Sequence, residues 1–216
     1  MQHLKLRHEI VEACRRMNDL RINQGTSGNI SARVAEGVLI TPSGIAFDEM
    51  DASDLVVTDL RGAVRDGRLR PSSEWRFHCD IFRERSAICA VVHAHAMYCT
   101  ALACLGRDIP AFHYMVAVAG GDSVRCAPYA TFGTQALSDN VVAALDGRRA
   151  CLMANHGMIA VGATVRQALA LALEVETLAA QYWHALQVGT PNLLPREEME
   201  IVLEKFSNYG QQAGSD

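Results

Sequence analysis

Lysine is nearly missing from this chain: among its 216 residues it stands only at Lys5 and Lys205. That scarcity argues against a Schiff-base mechanism, which needs an activated lysine amine. It also excludes the P-loop, whose lysine reaches the phosphates of a nucleotide, and no glycine-rich run here has that spacing. Long apolar runs are absent, so nothing reaches the length that spans a bilayer. The N-terminus, Met1-Gln2-His3-Leu4-Lys5, begins with helix-like periodicity instead of a signal peptide. Basic clusters are missing too, and a net charge of −4 argues against nucleic-acid or anionic-membrane partners. No Cys-X-X-Cys occurs, and seven cysteines, an odd number, fit buried free thiols in a reducing compartment. There are no repeats, low-complexity tracts or linkers. What remains is half hydrophobic and a fifth charged, the composition of an ordinary globular protein. The expectation is a cytoplasmic protein with a single domain over residues 1–216.

Periodicity supplies the outline. Leu6, Ile10, Cys14, Met17 and Leu20 recur at helical spacing, so the chain opens with an amphipathic helix. Gln24-Gly25-Thr26-Ser27-Gly28-Asn29 interrupts it with loop chemistry. Short strands are expected from Asn29 to Val34, Val38 to Thr41 and Leu55 to Asp59. Pro71-Ser72-Ser73 reads as a helix start with a serine cap, and Trp75, Cys79 and Phe82 supply that helix's apolar face. A strand carrying His93 and His95 comes next, then helices over about 98–105 and 134–145, with Val124 to Ala127 between them. Apolar strands on either side of Asn155-His156-Gly157 precede the longest helix, Val165 to Leu186, and a last one from Glu197 to Phe206. Helices alternating with strands, some of them close neighbours, predict an α/β fold with a mixed, largely antiparallel sheet covered by helices.

Several residues carry chemistry. His93 and His95 lie two apart in an apolar run, which places both on one face of a strand. Such a pair suits a metal like zinc, although buried, hydrogen-bonded core histidines look the same in sequence. His156 is a third candidate, because the turn at Gly157 could aim it toward the pair. Three histidines would leave the open coordination position that a catalytic zinc requires. Glu74 is the fourth candidate, yet a carboxylate in the first turn of a helix is also favoured simply by the helix dipole. Three stretches offer hydroxyls, amides and glycines to an anion: Gly25 to Asn29, Thr41-Pro42-Ser43-Gly44, and Ser72-Ser73. Each alone is an ordinary turn, and only their convergence would make a phosphate site.

Taken in order, six motifs resemble those of the L-fuculose-1-phosphate aldolases in the class II aldolase/adducin family. They are Asn23-Gln24-Gly25-Thr26-Ser27-Gly28-Asn29, Leu39-Ile40-Thr41-Pro42-Ser43-Gly44, Pro71-Ser72-Ser73-Glu74-Trp75, Val92-His93-Ala94-His95, Ala127-Pro128-Tyr129-Ala130-Thr131-Phe132-Gly133 and Asn155-His156-Gly157. The resemblance runs from the first helix to Tyr209. It implies a three-layer αβα sandwich and one zinc per subunit, bound by His93, His95 and His156 with Glu74 completing the shell. It further implies that Gly28, Asn29, Ser43, Gly44, Ser72 and Ser73 contact a substrate phosphate. Tyr114 matches a tyrosine that reaches a neighbouring subunit's site, so a homotetramer is implied. Tyr209 matches one on a mobile C-terminal tail, starting at about 207, that approaches the substrate. Asn155 departs from the pattern, since close relatives can carry histidine there.

The implied reaction is reversible cleavage of a phosphorylated ketose, a ketose 1-phosphate, to dihydroxyacetone phosphate and a small aldehyde such as lactaldehyde. Glu74 would exchange the proton at C3, and Tyr114 would take the C4 hydroxyl proton. The same scaffold serves 5-deoxyribulose and 5-methylthioribulose 1-phosphate aldolases, whose difference lies at the aldehyde end. It also serves pentulose-phosphate 4-epimerases and a related sugar-phosphate dehydratase. The epimerases resemble Ser-Ser-Asp where this chain has Ser72-Ser73-Glu74, and they carry an acidic residue in a stretch where His113 to Ala117 has none. A non-catalytic adducin-like module would be expected to lack the ligand set that this chain keeps.

Overall fold

The structure, a computed structural model, describes residues 1–207. Its helices are α1 (Leu4–Asp19), α2 (Trp75–Glu84), α3 (Met97–Cys104), α4 (Gln135–Ala144), α5 (Val165–Val188) and α6 (Arg196–Ser207). Its strands are β1 (Asn29–Val34), β2 (Gly37–Ile40), β3 (Val56–Thr58), β4 (Val64–Asp66), β5 (Ala90–Ala94), β6 (Arg125–Ala127), β7 (Ala150–Met153) and β8 (Gly157–Gly162). They form one eight-stranded sheet in the order β4-β3-β2-β1-β5-β8-β7-β6. Every pairing is antiparallel except β6 with β7.

The period-two alternation of the central strands produces two cores. Ala90, Val92 and Ala94 of β5, with Met158 and Ala160 of β8, pack under α1, α3 and α5. Val91, Ile159 and Val161 point the other way, against Phe77, Ile81 and Phe82 of α2 and Leu137 and Val141 of α4. Each of these large side chains contributes about 2 kcal/mol by leaving water. The result is the expected three-layer αβα sandwich with the sheet in the middle. His93 shares the face of Val91, so the alternation that builds the core also turns its imidazole toward α2.

Three local expectations shift. The edge strand β4 was not foreseen, because Val64-Arg65-Asp66 is exposed throughout and carries no apolar alternation. The ladder of β5 stops at Ala94, paired with Met158, so His95 lies just past the strand. Helix α2 starts at Trp75 instead of at the serines. Backbone bonds hold Pro71 and Ser72 extended against the end of β2: Pro42 bridges Pro71, and the Ser72 amide donates to Thr41 at 3.0 Å. All seven cysteines are free, as expected. Among the described residues no helix is long and apolar enough to cross a membrane.

Arg7 of α1 braces the far side of the sheet. Its guanidinium is only 1% exposed. It donates to the carbonyls of Gln2, Ala52 and Leu55 and to the Asp66 carboxylate in β4. Truncation strands those carbonyls without donors. Arg7→Ala is therefore expected to lower unfolding free energy by about 3 kcal/mol, read as a reduced urea midpoint with an unchanged slope. An unaltered midpoint would show that water replaces the guanidinium at no cost.

Candidate active site

Thr41, fully buried at the end of β2, ties the hydroxyl-bearing loops together. Its amide donates to the Ile30 carbonyl at 3.1 Å, and its hydroxyl accepts from the Ile30 amide at 3.3 Å. Its carbonyl takes the Ser72 amide, while the Ser43 amide donates to Arg70 at 3.1 Å. The start of β1, the loop after β2 and the approach to α2 are thus pinned side by side. Asn23 shapes the remaining loop, donating from Nδ2 to the Ser27 carbonyl at 2.6 Å and accepting the His95 amide at 3.2 Å. Gly28 sits at φ +72°, where a Cβ would lie 2.7 Å from both Asn23 Oδ1 and the His93 carbonyl. Only glycine fits that approach.

Opposite these loops stand the histidines. His93 Nε2 and His95 Nε2 are 3.2 Å apart, so the one-face geometry survives the end of the strand. His156 comes from the β7–β8 turn, where Asn155 takes φ 54°. Asparagine tolerates that left-handed conformation better than most residues, which explains its presence beside the candidate ligand. Gly157 lets the turn close on β5, since a Cβ there would meet the Ala94 carbonyl at 2.5 Å. The ring centroids of His93, His95 and His156 stand 4.9–5.0 Å apart. Glu74 occupies the residue before α2 and makes no side-chain cap. Its Oε2 lies 3.2 Å from His93 Nε2 and its Oε1 3.2 Å from His156 Nε2. The dipole explanation for Glu74 therefore yields to a site explanation.

The electrostatics are those of a cation site. Burial by itself disfavours the ionised Glu74 carboxyl. The charge on His93 and the approach of both imidazoles outweigh it and hold the group far below the usual carboxylate range. Burial likewise works against a charged His93, but the facing carboxylate prevails and raises its pKa. His95 is pushed down to about 4, first by burial and then by repulsion from its two histidine neighbours. His93 Nδ1 contacts the Met158 carbonyl at 2.9 Å. A carbonyl can only accept, so Nδ1 carries a proton in either charge state, and Nε2 is the nitrogen that would give its lone pair to a metal on losing its own proton.

This donor set fits a metal ion. The nitrogens of His93, His95 and His156 all lie within 4.8 Å of one another. Glu74 Oε1 is buried without a hydrogen bond. The 3.2 Å separations are close to the edge of a tetrahedron with metal–nitrogen bonds of about 2 Å.

Metal candidates and loops share one cleft of about 310 Å³. Its lining includes Gly28, Asn29, Ser43, Gly44, Ser72 and Ser73 together with Glu74, His95 and His156. His93 lies beneath them, fully buried. Among the described residues that line it there is no lysine or arginine. The amides of Ser43 and Ser72 already serve Arg70 and Thr41, and the Ser72 hydroxyl accepts the Glu74 amide at 3.3 Å. Asn29 gives its side chain to Glu74, donating from Nδ2 to Oε2 at 3.0 Å.

Tyr114 is not brought to this cleft. It lines a separate groove with Phe112, Leu194 and Phe206 and is 51% exposed. Tyr209 lies outside the described residues. Two participants receive no role from the sequence. His78 is fully buried behind Asn29, and its position four residues after Glu74 was the available signal. Tyr129, 60% exposed, joins Phe132 at the cleft mouth.

A three-layer αβα sheet protein with a His₃–carboxylate cluster beside a cation-free, hydroxyl-lined cleft is the class defined by this geometry. Residues 8–183 match the family described as Class II Aldolase and Adducin N-terminal domain, and the chain belongs to that family. The 5-methylthioribulose-1-phosphate/5-deoxyribulose-1-phosphate aldolase of Rhodospirillum rubrum is 54% identical over 210 residues, covering 97% of this chain and 95% of that protein. The L-fuculose phosphate aldolase of Escherichia coli (strain K12) is 48% identical over 211 residues, covering 97% and 98%. A solved structure of an L-fuculose 1-phosphate aldolase superposes with a TM-score of 0.91 at 43% identity, covering 94% of this chain and 96% of that one. Within the family the chain stands with the aldolases, which are lyases.

A metal held by this cluster would favour the folded chain, which alone brings the three histidines together, and would add stability by mass action. At a free concentration about 100 times its dissociation constant, the gain is about 2.7 kcal/mol. Chelator-treated protein is expected to melt lower than metal-loaded protein, and His93→Ala to abolish the difference. Identical melting curves with and without metal would remove the cluster from metal binding.

Proposed function

We propose that this protein is a zinc-dependent class II aldolase that reversibly cleaves a ketose 1-phosphate to dihydroxyacetone phosphate and a short aldehyde. The observation that carries this reading is the meeting of His93, His95, His156 and Glu74 with three hydroxyl-bearing loops around one cleft. Zinc held by those four residues supplies a Lewis acid that stabilises negative charge next to a carbonyl. Gly28, Asn29, Ser43, Gly44, Ser72 and Ser73 hold the phosphate. With no lysine or arginine in the lining, hydroxyls and the positive end of α2 do that work. The phosphate supplies remote binding energy that orients the reacting carbons.

In the cleavage direction the C3–C4 bond breaks and its electron pair stays on C3. Tyr114 from an adjacent chain takes the C4 hydroxyl proton as the aldehyde carbonyl forms, and Glu74, which would have left the metal and taken up a proton from solvent, delivers that proton to C3. Addition is the reverse, with Glu74 as base. Tyr114's distance from its own chain's cleft supports a homotetramer whose sites are completed between subunits. Tyr209, to which the family resemblance gives a role at the substrate, lies outside the described residues.

The substrate's tail separates two readings. The L-fuculose 1-phosphate reading is supported by relatives of that name at 48% identity and a TM-score of 0.91. The 5-methylthioribulose/5-deoxyribulose 1-phosphate reading is supported by 54% identity to an aldolase of that name. The exposed rings of Tyr129 and Phe132 at the cleft mouth also suit an apolar tail. We favour the latter. Pentulose-phosphate 4-epimerization is disfavoured by Glu74 in place of aspartate and by the absence of an acid from 113–117. The intact ligand set likewise disfavours a non-catalytic adducin-like module.

A panel of fuculose, ribulose, 5-deoxyribulose and 5-methylthioribulose 1-phosphates, read by release of dihydroxyacetone phosphate, tests the substrate. The methylthio and deoxy forms are expected to lead, and release from none of the four would refute the aldolase reading. Glu74→Gln is expected to slow exchange of the dihydroxyacetone phosphate C3 proton by about 100-fold or more; unchanged exchange removes Glu74 from proton transfer.

Tyr114→Phe is expected to slow carbon–carbon cleavage by about 10-fold or more while sparing that exchange. Equal slowing of both would contradict its role at the C4 oxygen.

A further inference from the structure

Behind Glu74 runs a buried chain of polar side chains that starts at Asn29, the last residue of the first hydroxyl loop, and passes through His78 to Ser31, neither of which lines the cleft. It is built from two interlocking periodicities. Asn29 and Ser31 are two apart on β1 and share the face toward α2, while Glu74 and His78 are four apart along α2. The Ser31 hydroxyl lies 2.6 Å from His78 Nδ1, His78 Nε2 contacts Asn29 Oδ1, and Asn29 Nδ2 donates to Glu74 Oε2 at 3.0 Å. Ser31 and His78 are fully buried, and Asn29 is 4% exposed.

The direction of every bond follows from one end. An ionised carboxylate can only accept, so Asn29 must turn its Nδ2 to Glu74 and its Oδ1 to His78. That oxygen requires a proton on His78 Nε2, which leaves Nδ1 to accept from the Ser31 hydroxyl. The opposite tautomer would turn Asn29 around and set its oxygen against the carboxylate. We infer that Ser31, His78 and Asn29 form a positioning chain that clamps Oε2 of Glu74 and leaves Oε1 as the oxygen that carries the proton to C3. Oε1 makes no hydrogen bond and faces only the candidate ligand His156, whose Nε2 lies 3.2 Å away. This rests on Glu74 as the proton carrier, the role proposed above.

The test uses zinc-loaded, nitrogen-labelled protein and variants at both ends of the chain. A long-range proton–nitrogen correlation spectrum at neutral pH is expected to show His78 neutral with its proton on Nε2; a proton on Nδ1 overturns the inference. His78→Asn places an amide too short to reach Asn29, whereas the amide of His78→Gln reaches it. Exchange of the C3 proton per bound zinc is expected to fall about 10-fold in His78→Asn, with KM and zinc content kept. His78→Gln is expected to recover most of that loss. Full exchange in His78→Asn, or equal loss in both variants, overturns the chain. Should His78→Asn not fold, Ser31→Ala carries the same measurement: a several-fold fall supports the chain and an unchanged rate overturns it. Glu74→Gln separates the two levels. Full exchange there sinks the proton-carrier role and this inference with it. Lost exchange there beside full exchange in His78→Asn sinks the chain alone.

Discussion

A carboxylate held ionised away from water must be surrounded by compensating charge and donors, and Glu74 imposes that demand on the whole site. Its neighbours answer it from four directions. His93 comes from the central strand, His156 from a hairpin turn, Asn29 from the start of β1, and the backbone that aims Glu74 from the approach to α2. A site assembled this way holds its shape only if the sheet register is kept. Asn29 faces His93 across the β1–β5 ladder, and a slip of one residue would turn both away from α2.

The same constraint shapes the cleft proposed to take a phosphate, whose lining among the described residues holds no lysine or arginine. The loops that would cradle the anion are held by backbone bonds converging on Thr41, and Asn23 links the first of them to His95. The proposed anion cradle and the candidate metal ligands are therefore tied together by hydrogen bonds and strand geometry. That is the requirement for a substrate gripped at a phosphate and reacting a few carbons away.

Much of this was legible from spacing. His93 and His95 read as a same-face pair because a strand's period is two, and they remain one although β5 ends between them. Helices α1 and α5 were legible because their apolar faces are long. Strand β4 was not, since an edge with a single apolar residue has no pattern to detect. The serines before Glu74 looked like a helix cap, and a long-range bridge between Pro42 and Pro71 keeps them outside the helix instead. His78 passed unnoticed because a lone histidine on a helix's buried face looks like any core residue until its partners are seen.

Local chemistry in the sequence determined the fold class, the histidine pair and the three anion-suited loops, because periodicity and turn residues act over a few positions. It left open whether Glu74 served the helix dipole or a metal, whether His156 met the pair, and whether the loops converged. Those answers depend on residues about 20 to 80 positions apart being pressed together, which only sheet register and helix packing accomplish. The Tyr114 groove follows the same division: the sequence marks the tyrosine, and the fold carries it away from its own chain's cleft.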